Sequence, residues 1–203
     1  NARLNMNTEQ PGFDFDKVRT AASTMWNKDL SKVQVEGGTK DEKTIFYTGM
    51  YHLLIHPNIL QDVNGEYPMM ESLKVGHTTG NRYTVFSLWD TYRNVSTLMT
   101  LLYPERQLDI IRTMLDMYRE NGWLPKWELY GRETFTMEGD PSIPYIVDAW
   151  MRGLRDFDEQ TAYEAMRKGA TTPGEFNLLR PDANDYFSKG YVPLREQYDN
   201  SVS

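Results

Sequence analysis

The segment from Pro104 to Gly122 constrains the fold more than any other, because both of its ends carry a helix signal. Proline is favoured in the first turn of a helix, and glycine is favoured directly after the last turn. Between them, apolar residues recur every three or four positions with charged residues in between, as in an amphipathic helix. The segment therefore predicts a helix over Pro104–Asn121 with one buried face. The predicted apolar stripe consists of Leu108, Ile111, Leu115 and Tyr118.

The same signals recur along the chain and predict a mostly α protein. Consecutive helices are separated alternately by a short turn and a long loop, which is typical of antiparallel helical hairpins laid side by side. The pattern by itself does not say whether the hairpins close into a ring. The apolar and aromatic residues of the second predicted helix are spread over more than one of its faces. We therefore expect other parts of the protein to cover this helix on most sides. The predicted helices are Asp14–Asp29, Asp41–His56, Ser87–Tyr103, Pro104–Asn121, Ile143–Arg152, Asp158–Lys168 and Asp182–Ser188.

A small β insertion is predicted between the second and third helices, from Ile59 to Phe86. Asn64-Gly65 between short apolar runs is a strong signal for a β-hairpin turn. The nearby acids Asp62 and Glu66 suggest calcium at first sight. A calcium loop of the EF-hand type places its glycine sixth, whereas here the glycine is fourth, so the sequence favours a turn.

Composition excludes several classes of function. The net charge of −7 argues against a nucleic-acid partner, because phosphate binding needs a basic surface. No apolar run approaches the length of a membrane span, and the absence of cysteine excludes disulfides and thiol chemistry. The polar start carries no signal-peptide pattern, and Asn1-Ala2 fits the remnant of a removed tag. We therefore expect an N-terminal extension or tag remnant at residues 1–13 and one domain at residues 14–203.

The long loops hold the residues most suited to a binding site. Trp89, Asp90 and Arg93 lie where a long loop enters a helix, and the Gly122–Ser142 loop is rich in tryptophan and carboxylates. If the hairpins pack in parallel register, the long loops meet at one end and form a cleft. Glycosidic cleavage needs two facing carboxyl groups, and Asp and Arg suit sugar hydroxyls. The candidates in the second loop are Trp123, Trp127, Glu128, Arg132, Glu133, Glu138 and Asp140.

Structural explanations compete with these features. The aromatic content of 13% fits a helical core with amphipathic rims as well as a sugar site. Asp90 and Arg93 also fit an ion pair at a helix start, where the helix dipole favours a carboxylate. Asp148, in an otherwise apolar helix, is either a buried partner for an arginine or a site residue, and both alternatives stay open.

A pair of histidines supplies a different alternative, a metal-dependent enzyme. His52 and His56 are four positions apart, as two zinc ligands on one helix face would be. No carboxylate follows them in a zinc-protease pattern, and Pro57 directly follows His56. The spacing alone therefore favours a structural role for both histidines.

Two local patterns are more specific than these single residues: Ser-Leu-Trp-Asp-Thr-Tyr-Arg at 87–93 and Met-Glu-Gly at 137–139. They belong to three longer stretches, at 42–67, 83–106 and 121–170. Together these stretches resemble bacterial α-mannosidases of glycoside hydrolase family 92, and the resemblance runs from about Asp14 to the end of the chain. It implies part of a helical (α/α) toroid that follows an N-terminal β-sandwich. It also implies calcium-dependent, inverting exo-hydrolysis of α-mannosides, often of α-1,2 linkages.

The resemblance also implies where the chemistry lies. The general acid, the base and the calcium ligands of the family are expected beyond Ser203, so no catalytic residue and no metal ligand is predicted in this chain. Calcium is expected in the complete enzyme, not bound by this chain, which alone is expected to be inactive. The Gly-Asp-Pro-Ser sequence at 139–142 departs from the Gly-Tyr-His-Ser of many members, which bears on linkage preference. The predicted substrate-binding residues are Trp89, Asp90, Arg93, Glu133 and Asp140.

The expected partners are mannose-containing glycans, and the resemblance suggests a periplasmic or secreted bacterial protein. A toroid cut partway would expose apolar helix faces at its edges, so we also expect self-association. The alternative hypothesis is a stand-alone helical carbohydrate-binding or interaction module without catalysis.

Overall fold

The structure, a computed structural model, describes residues 1–193, most of which lie in helices. The helices are α1 (Ala2–Glu9), α2 (Phe15–Leu30), α3 (Lys40–Leu53), α4 (Leu88–Thr91), α5 (Val95–Leu102), α6 (Pro104–Asn121), α7 (Ser142–Met151), α8 (Glu159–Thr171) and α9 (Ala183–Lys189), with a 3-10 turn at Gly174–Phe176. The strands are β1 (Asn58–Ile59), β2 (Glu66–Pro68), β3 (Val75–His77), β4 (Tyr83–Thr84), β5 (Glu128–Leu129) and β6 (Arg132–Glu133). The prediction of a mostly α chain of helical hairpins with a small β insertion is confirmed.

Helix α6 begins and ends where the sequence predicts. Gly122 adopts a left-handed φ of 87°, and its N–H donates to the carbonyl of Tyr118 at 2.7 Å. Of the predicted stripe, Ile111 and Leu115 are buried, whereas Leu108 and Tyr118 are only partly buried. The buried face differs from the prediction because α5, α7 and α8 all pack around α6. The buried residues of α6 are Gln107, Ile110, Ile111, Thr113, Met114, Leu115 and Met117. The apolar residues among them form the centre of the hydrophobic core together with Met99, Tyr145, Ile146, Ala149, Ala162 and Ala165.

The prediction of one continuous helix over Ser87–Tyr103 is wrong, because the chain divides it into α4 and α5. Asn94 leaves the helical conformation with φ −134°, and its side chain accepts a hydrogen bond from the Val95 N–H at 2.8 Å. Asparagine side chains compete with the backbone for hydrogen bonds and therefore favour helix starts over helix interiors. The break leaves the Trp89–Arg93 segment on its own short turn.

Helix α3 starts with a complete capping box between Thr39 and Glu42 but ends at Leu53, before the predicted His56. A residue before proline disfavours helical geometry, and Pro57 follows His56. The expectation that α3 is covered on most sides is wrong for the described part of the chain. Met50 is its one buried residue there, and Ile45 is 71% exposed, because α2 is the main helix packed against α3.

The β insertion contains the predicted turn, although its strand pairing is different. At Asn64-Gly65, the Gly65 N–H donates to the Asp62 carbonyl at 2.8 Å and closes the turn. The strand that follows, β2, pairs with β3, and β1 pairs with β4. The side chains of Asp62 and Glu66 accept amide hydrogen bonds from Asn1 at 2.7 and 2.5 Å, which joins α1 to the insertion.

A buried ion pair anchors the insertion to α6. The Arg82 guanidinium donates to Glu120 at 2.8 Å, and their side chains are 1% and 6% exposed. Glu120 also accepts from the Tyr67 hydroxyl at 2.9 Å and from the Met70 N–H at 2.6 Å. Burial, together with Glu120, raises the pKa of Tyr67 to about 12. Removing one member would leave a buried charge uncompensated, so these groups fix how the insertion sits on the helices.

Candidate functional site

The chain enters α4 through an unusual backbone conformation next to Glu128. Val85 has a φ of 68°, which a β-branched residue rarely adopts. Its N–H donates to the Glu128 carboxylate at 3.0 Å, and the Phe86 N–H donates to the Glu128 carbonyl at 2.9 Å. Glu128, in the long second loop, accepts both hydrogen bonds. It therefore fixes the position from which α4 starts.

The Glu128 carboxylate is fully buried, and its oxygens have partners. The Thr84 hydroxyl donates to it at 2.9 Å, and the Gly131 N–H donates to it at 2.5 Å. Burial raises the pKa of Glu128, and these hydrogen bonds oppose that rise without cancelling it. Glu128, a candidate site residue from the sequence, is thus enclosed, and its hydrogen bonds join β4 to the loop.

Trp89, Asp90 and Arg93 form a partly open group on α4 and the turn after it. The Arg93 guanidinium lies 4.8 Å from the Trp89 ring centre and 4.4 Å from that of Tyr92. It donates to the Trp89 carbonyl at 2.8 Å, and Asp90 accepts a hydrogen bond from the Ser87 hydroxyl. Asp90 and Arg93 are exposed, and within residues 1–193 neither has an ion-pair partner. The turn therefore presents an acceptor, a donor and an aromatic face together.

The other two predicted substrate-binding residues are in different surroundings. Glu133 accepts hydrogen bonds from the N–H groups of Lys126 at 2.7 Å and of Trp127 and Phe135 at 2.9 Å. Its carboxylate thereby holds the long loop in shape, with β5 and β6 paired beside it. Asp140, by contrast, faces a cavity.

The cavity around Asp140 has a volume of about 650 Å³. Sequence reasoning missed its two basic residues, Lys126 and Arg180. Arg180 lies far along the chain from the loop, and only the packing of the segment after α8 brings it to Asp140. The lining of this cavity, as far as the described residues go, includes Glu138 and Asp140 but none of the α4 residues Trp89, Asp90 and Arg93.

The remaining candidates have structural partners. Asp148 accepts from Arg152 at 3.0 Å and from the Thr97 hydroxyl at 2.9 Å. It thus has an arginine partner, but the pair is partly exposed and not buried as that alternative expected. His56 lies beyond the end of α3, so it does not share a helix face with His52. Among residues 1–193, no three His, Asp or Glu side chains are grouped as metal ligands would be.

The hairpins and the open Trp–Asp–Arg turn define a helical domain suited to a polyhydroxylated ligand, because such ligands need aromatic contact and paired polar groups. The chain belongs to glycoside hydrolase family 92: the Glycosyl hydrolase family 92 catalytic domain matches residues 1–203. In the described part of the chain, no helix is both long enough and apolar enough to cross a membrane.

Solved structures of two family members from Bacteroides thetaiotaomicron resemble this chain. An inverting mannosidase is 31% identical, with a TM-score of 0.88 over 96% of this chain and 27% of its own. An α-mannosidase is 35% identical, with a TM-score of 0.85 over 95% of this chain and 25% of its own. The latter has also been solved in complex with mannoimidazole.

A secreted glycosidase of Arthroderma benhamiae, itself uncharacterized, is 29% identical over 96% of this chain and 22% of its own length. This chain thus spans about a quarter of the length of the proteins that it matches.

Proposed function

We propose that this chain is part of an enzyme that hydrolyses terminal α-linked mannose from glycans by inversion. Membership of the family and the similarity to two mannosidase structures support this assignment. The observation that carries it is the open group on α4, where Asp90 and Arg93 have no ion-pair partner among residues 1–193. Exposed polar groups beside an aromatic ring are what a sugar ring requires.

In this proposal the α4 group orients the sugar. Stacking between Trp89 and Tyr92 restrains the guanidinium of Arg93, so less freedom is lost when it donates to a hydroxyl. Asp90, which directly follows Trp89, accepts from a second hydroxyl. The Glu128 tie holds α4 at a defined place relative to the long loop. A sugar bound here is held at a fixed orientation, which lowers the entropy that the reaction must lose.

The acid and the base are assigned to the remainder of a longer protein. Inversion needs two carboxyl groups about 6.5–9.5 Å apart with water between them. The loop carboxylates Glu128 and Glu133 are occupied by backbone and hydroxyl donors, so they are poorly suited to proton transfer. We also propose that the complete protein binds calcium through residues other than those of this chain. The bond cleaved is an α-1,2 linkage, and the protein is secreted, as its fungal relative is described.

Substitution of Asp90 tests this function in the longer protein that contains the chain. Asp90→Ala should lower kcat/KM on an aryl α-mannoside by about ten- to a hundredfold, the worth of an orienting hydrogen bond from a charged group. Glu164→Ala, on the exposed face of α8, is the control and should leave the kinetics unchanged. Unchanged kinetics in Asp90→Ala would remove the role assigned to α4.

A second assay tests where the acid lies. The 203-residue chain alone should show no turnover of the same substrate. Turnover by this chain that is abolished by Glu138→Gln, at the rim of the Asp140 cavity, would place the acid in the long loop instead.

A further inference from the structure

The segment that leads into α4 begins at Thr84, whose hydroxyl is enclosed and has two kinds of partner. Thr84 is 0% exposed, and its Oγ1 lies 2.9 and 3.0 Å from the two carboxylate oxygens of Glu128. The same oxygen accepts the Tyr130 N–H at 2.8 Å. Because a hydroxyl has one proton and this amide takes an acceptor position, the proton of Thr84 is directed at Glu128. Thr84 thus joins β4 to two residues of the long loop.

The residue after Thr84 has a strained backbone. Val85 lies at φ 68°, in the left-handed region that a β-branched side chain rarely enters. Such a conformation persists only where the surrounding structure holds it, and strain of this kind clusters at functional sites. Here the Glu128 carboxylate holds it, by accepting the Val85 N–H at 3.0 Å beside the Thr84 hydroxyl. The two contacts fix the direction in which the chain leaves β4.

Helix α4 is too short to set its own orientation. It has four residues, and a helix of one turn has little stability of its own. Of those four residues, Leu88 is the buried one, at 1% exposure. Asp90 and Arg93 are exposed, and the chain leaves the helical conformation again at Asn94. The direction of the two polar side chains therefore depends on how the chain enters α4.

A second buried threonine nearby shows what the same group does without a link to α4. Thr113, on α6, is 2% exposed. Its hydroxyl accepts the Tyr83 N–H at 3.2 Å and donates to the Asn81 carbonyl at 3.3 Å. Both threonines hold the segment at β4, whereas the bonds of Thr113 stop before the turn into α4. A threonine-to-valine change removes the same hydroxyl at either position, so the two positions form a matched pair.

We propose that Thr84 is a positioning residue, which sets the orientation of Asp90 and Arg93 through Glu128 and Val85. The hydroxyl does not need to contact the ligand for this role. Hydrogen bonds to a bound sugar depend on the placement of donor and acceptor, and a misplacement of about 1 Å can cost about a hundredfold in rate. The role in orienting the sugar rests on the proposed function of α4, whereas the tie between Thr84 and Glu128 is independent of it.

Kinetics of the longer protein that contains this chain test the role. Thr84→Val keeps the shape and removes the hydroxyl, and it should lower kcat/KM on an aryl α-mannoside by about ten- to a hundredfold. Thr84→Ser keeps the hydroxyl and should retain most of the activity. Thr113→Val, the matched control, should lower the urea midpoint and leave kcat/KM unchanged. An equal loss of kcat/KM in Thr113→Val would overturn the role, because both losses would then reflect stability alone.

Two further variants test whether the effect runs through this tie and through α4. Glu128→Gln breaks the same tie from the loop side and should give a similar loss, so it replaces Thr84→Val where that variant does not fold. Either change combined with Asp90→Ala should lose less than the product of the two single losses, because Thr84 acts through Asp90. Losses that multiply would show that the residues act independently and would overturn the proposal.

Hydrogen exchange followed by mass spectrometry separates this proposal from the proposed function. In the longer protein, Thr84→Val should speed the exchange of the amides at 85–93 by about tenfold, and Thr113→Val should not. Unchanged exchange there would overturn the tie. Faster exchange with unchanged kcat/KM would overturn the positioning role and leave the proposed function standing. Faster exchange together with unchanged kinetics in Asp90→Ala would refute the function assigned to α4, and this role with it.

Discussion

At the scale of single residues, Glu128 and Asp140 show two fates of a buried carboxylate on one loop. Both have a raised pKa, and burial is the largest cause for each. Donors fill the oxygens of Glu128, whereas Asp140 has only the more distant charges of Arg180 and Lys126 to oppose the rise. The charge of each carboxylate therefore opposes folding, but hydrogen bonds offset part of that cost at Glu128, where they also join β4 to the loop, and no hydrogen bond offsets it at Asp140. Groups kept at such a cost are candidates for function.

Paired isosteric substitutions test this difference. The folded state raises the pKa of Asp140 above its unfolded value, so its contribution to stability is present at low pH and is lost as pH rises through the folded pKa. Asp140→Asn should therefore stabilise the chain by about 1–3 kcal/mol at neutral pH, with the gain shrinking below the ordinary carboxyl range. Urea denaturation at neutral pH and at a pH below the ordinary carboxyl range measures the gain in the free energy of unfolding under both conditions.

Glu128→Gln is the matched control with the opposite sign. Its new amide group would face a donor, such as the Gly131 N–H, so it should destabilise the chain by about 1–3 kcal/mol at neutral pH. If both variants lost stability equally, the contrast between the two carboxylates would be refuted.

At the scale of elements, the helix ends decide where the functional segments lie. Asn94 breaks the predicted third helix and gives α4 its own turn, and Gly122 ends α6 so that the long loop can begin. Gly122 needs its left-handed conformation, and the Lys168 ammonium donates to its carbonyl at 2.6 Å. The end of α6 is thereby joined to α8.

Two glycine-to-alanine substitutions should change stability in opposite directions. Gly122→Ala should destabilise the chain by about 1–2 kcal/mol, because alanine in the left-handed region brings Cβ too close to the backbone. Gly49→Ala, inside α3 with no atom near its added Cβ, should stabilise it by about 0.5–1 kcal/mol. Denaturant midpoints measure both, and equal signs would contradict the assigned cap.

At the scale of the whole molecule, the described chain has one well-packed half and one open half. The core surrounds α6, whereas α2 has no buried residue and α3 has one. Large apolar side chains on this hairpin are exposed: Phe15, Met25, Ile45, Phe46 and Tyr51. Exposed apolar patches of this kind commonly mark surfaces that pair with something else.

We expect the isolated chain to self-associate through the α2–α3 hairpin. Ile45→Arg should shift sedimentation velocity profiles toward monomer, because it places a charge in the apolar surface. Leu73→Arg, in a loop at 97% exposure, is the control and should leave association unchanged. A monomer at high protein concentration in the unsubstituted chain would contradict the expectation.

Local patterns were enough to predict most of the elements, because caps, glycines and prolines act within a few residues of one another. Gly122 ends α6 as predicted, and α2 and α8 begin one residue after the predicted starts Asp14 and Asp158, whose side chains cap them. The prediction was wrong at Asn94, whose side chain accepts a backbone hydrogen bond and starts a new helix. It was also wrong for the burial of α3, which depends on the elements that pack against that helix. Coverage is a property of what packs against a helix, and its own sequence does not contain that information.

The sequence by itself determined the helical class, the turn at Asn64-Gly65 and the polar group at Trp89, Asp90 and Arg93, because each depends on residues close in the chain. Only the tertiary structure decided what the carboxylates of the long loop do. In the folded chain Glu128 is buried against Thr84, and Glu133 accepts hydrogen bonds from backbone N–H groups of the loop. Asp140 lies beside Arg180. Those roles depend on donors and cations from distant segments, and the free energy of a buried charge is set by the groups that surround it after folding.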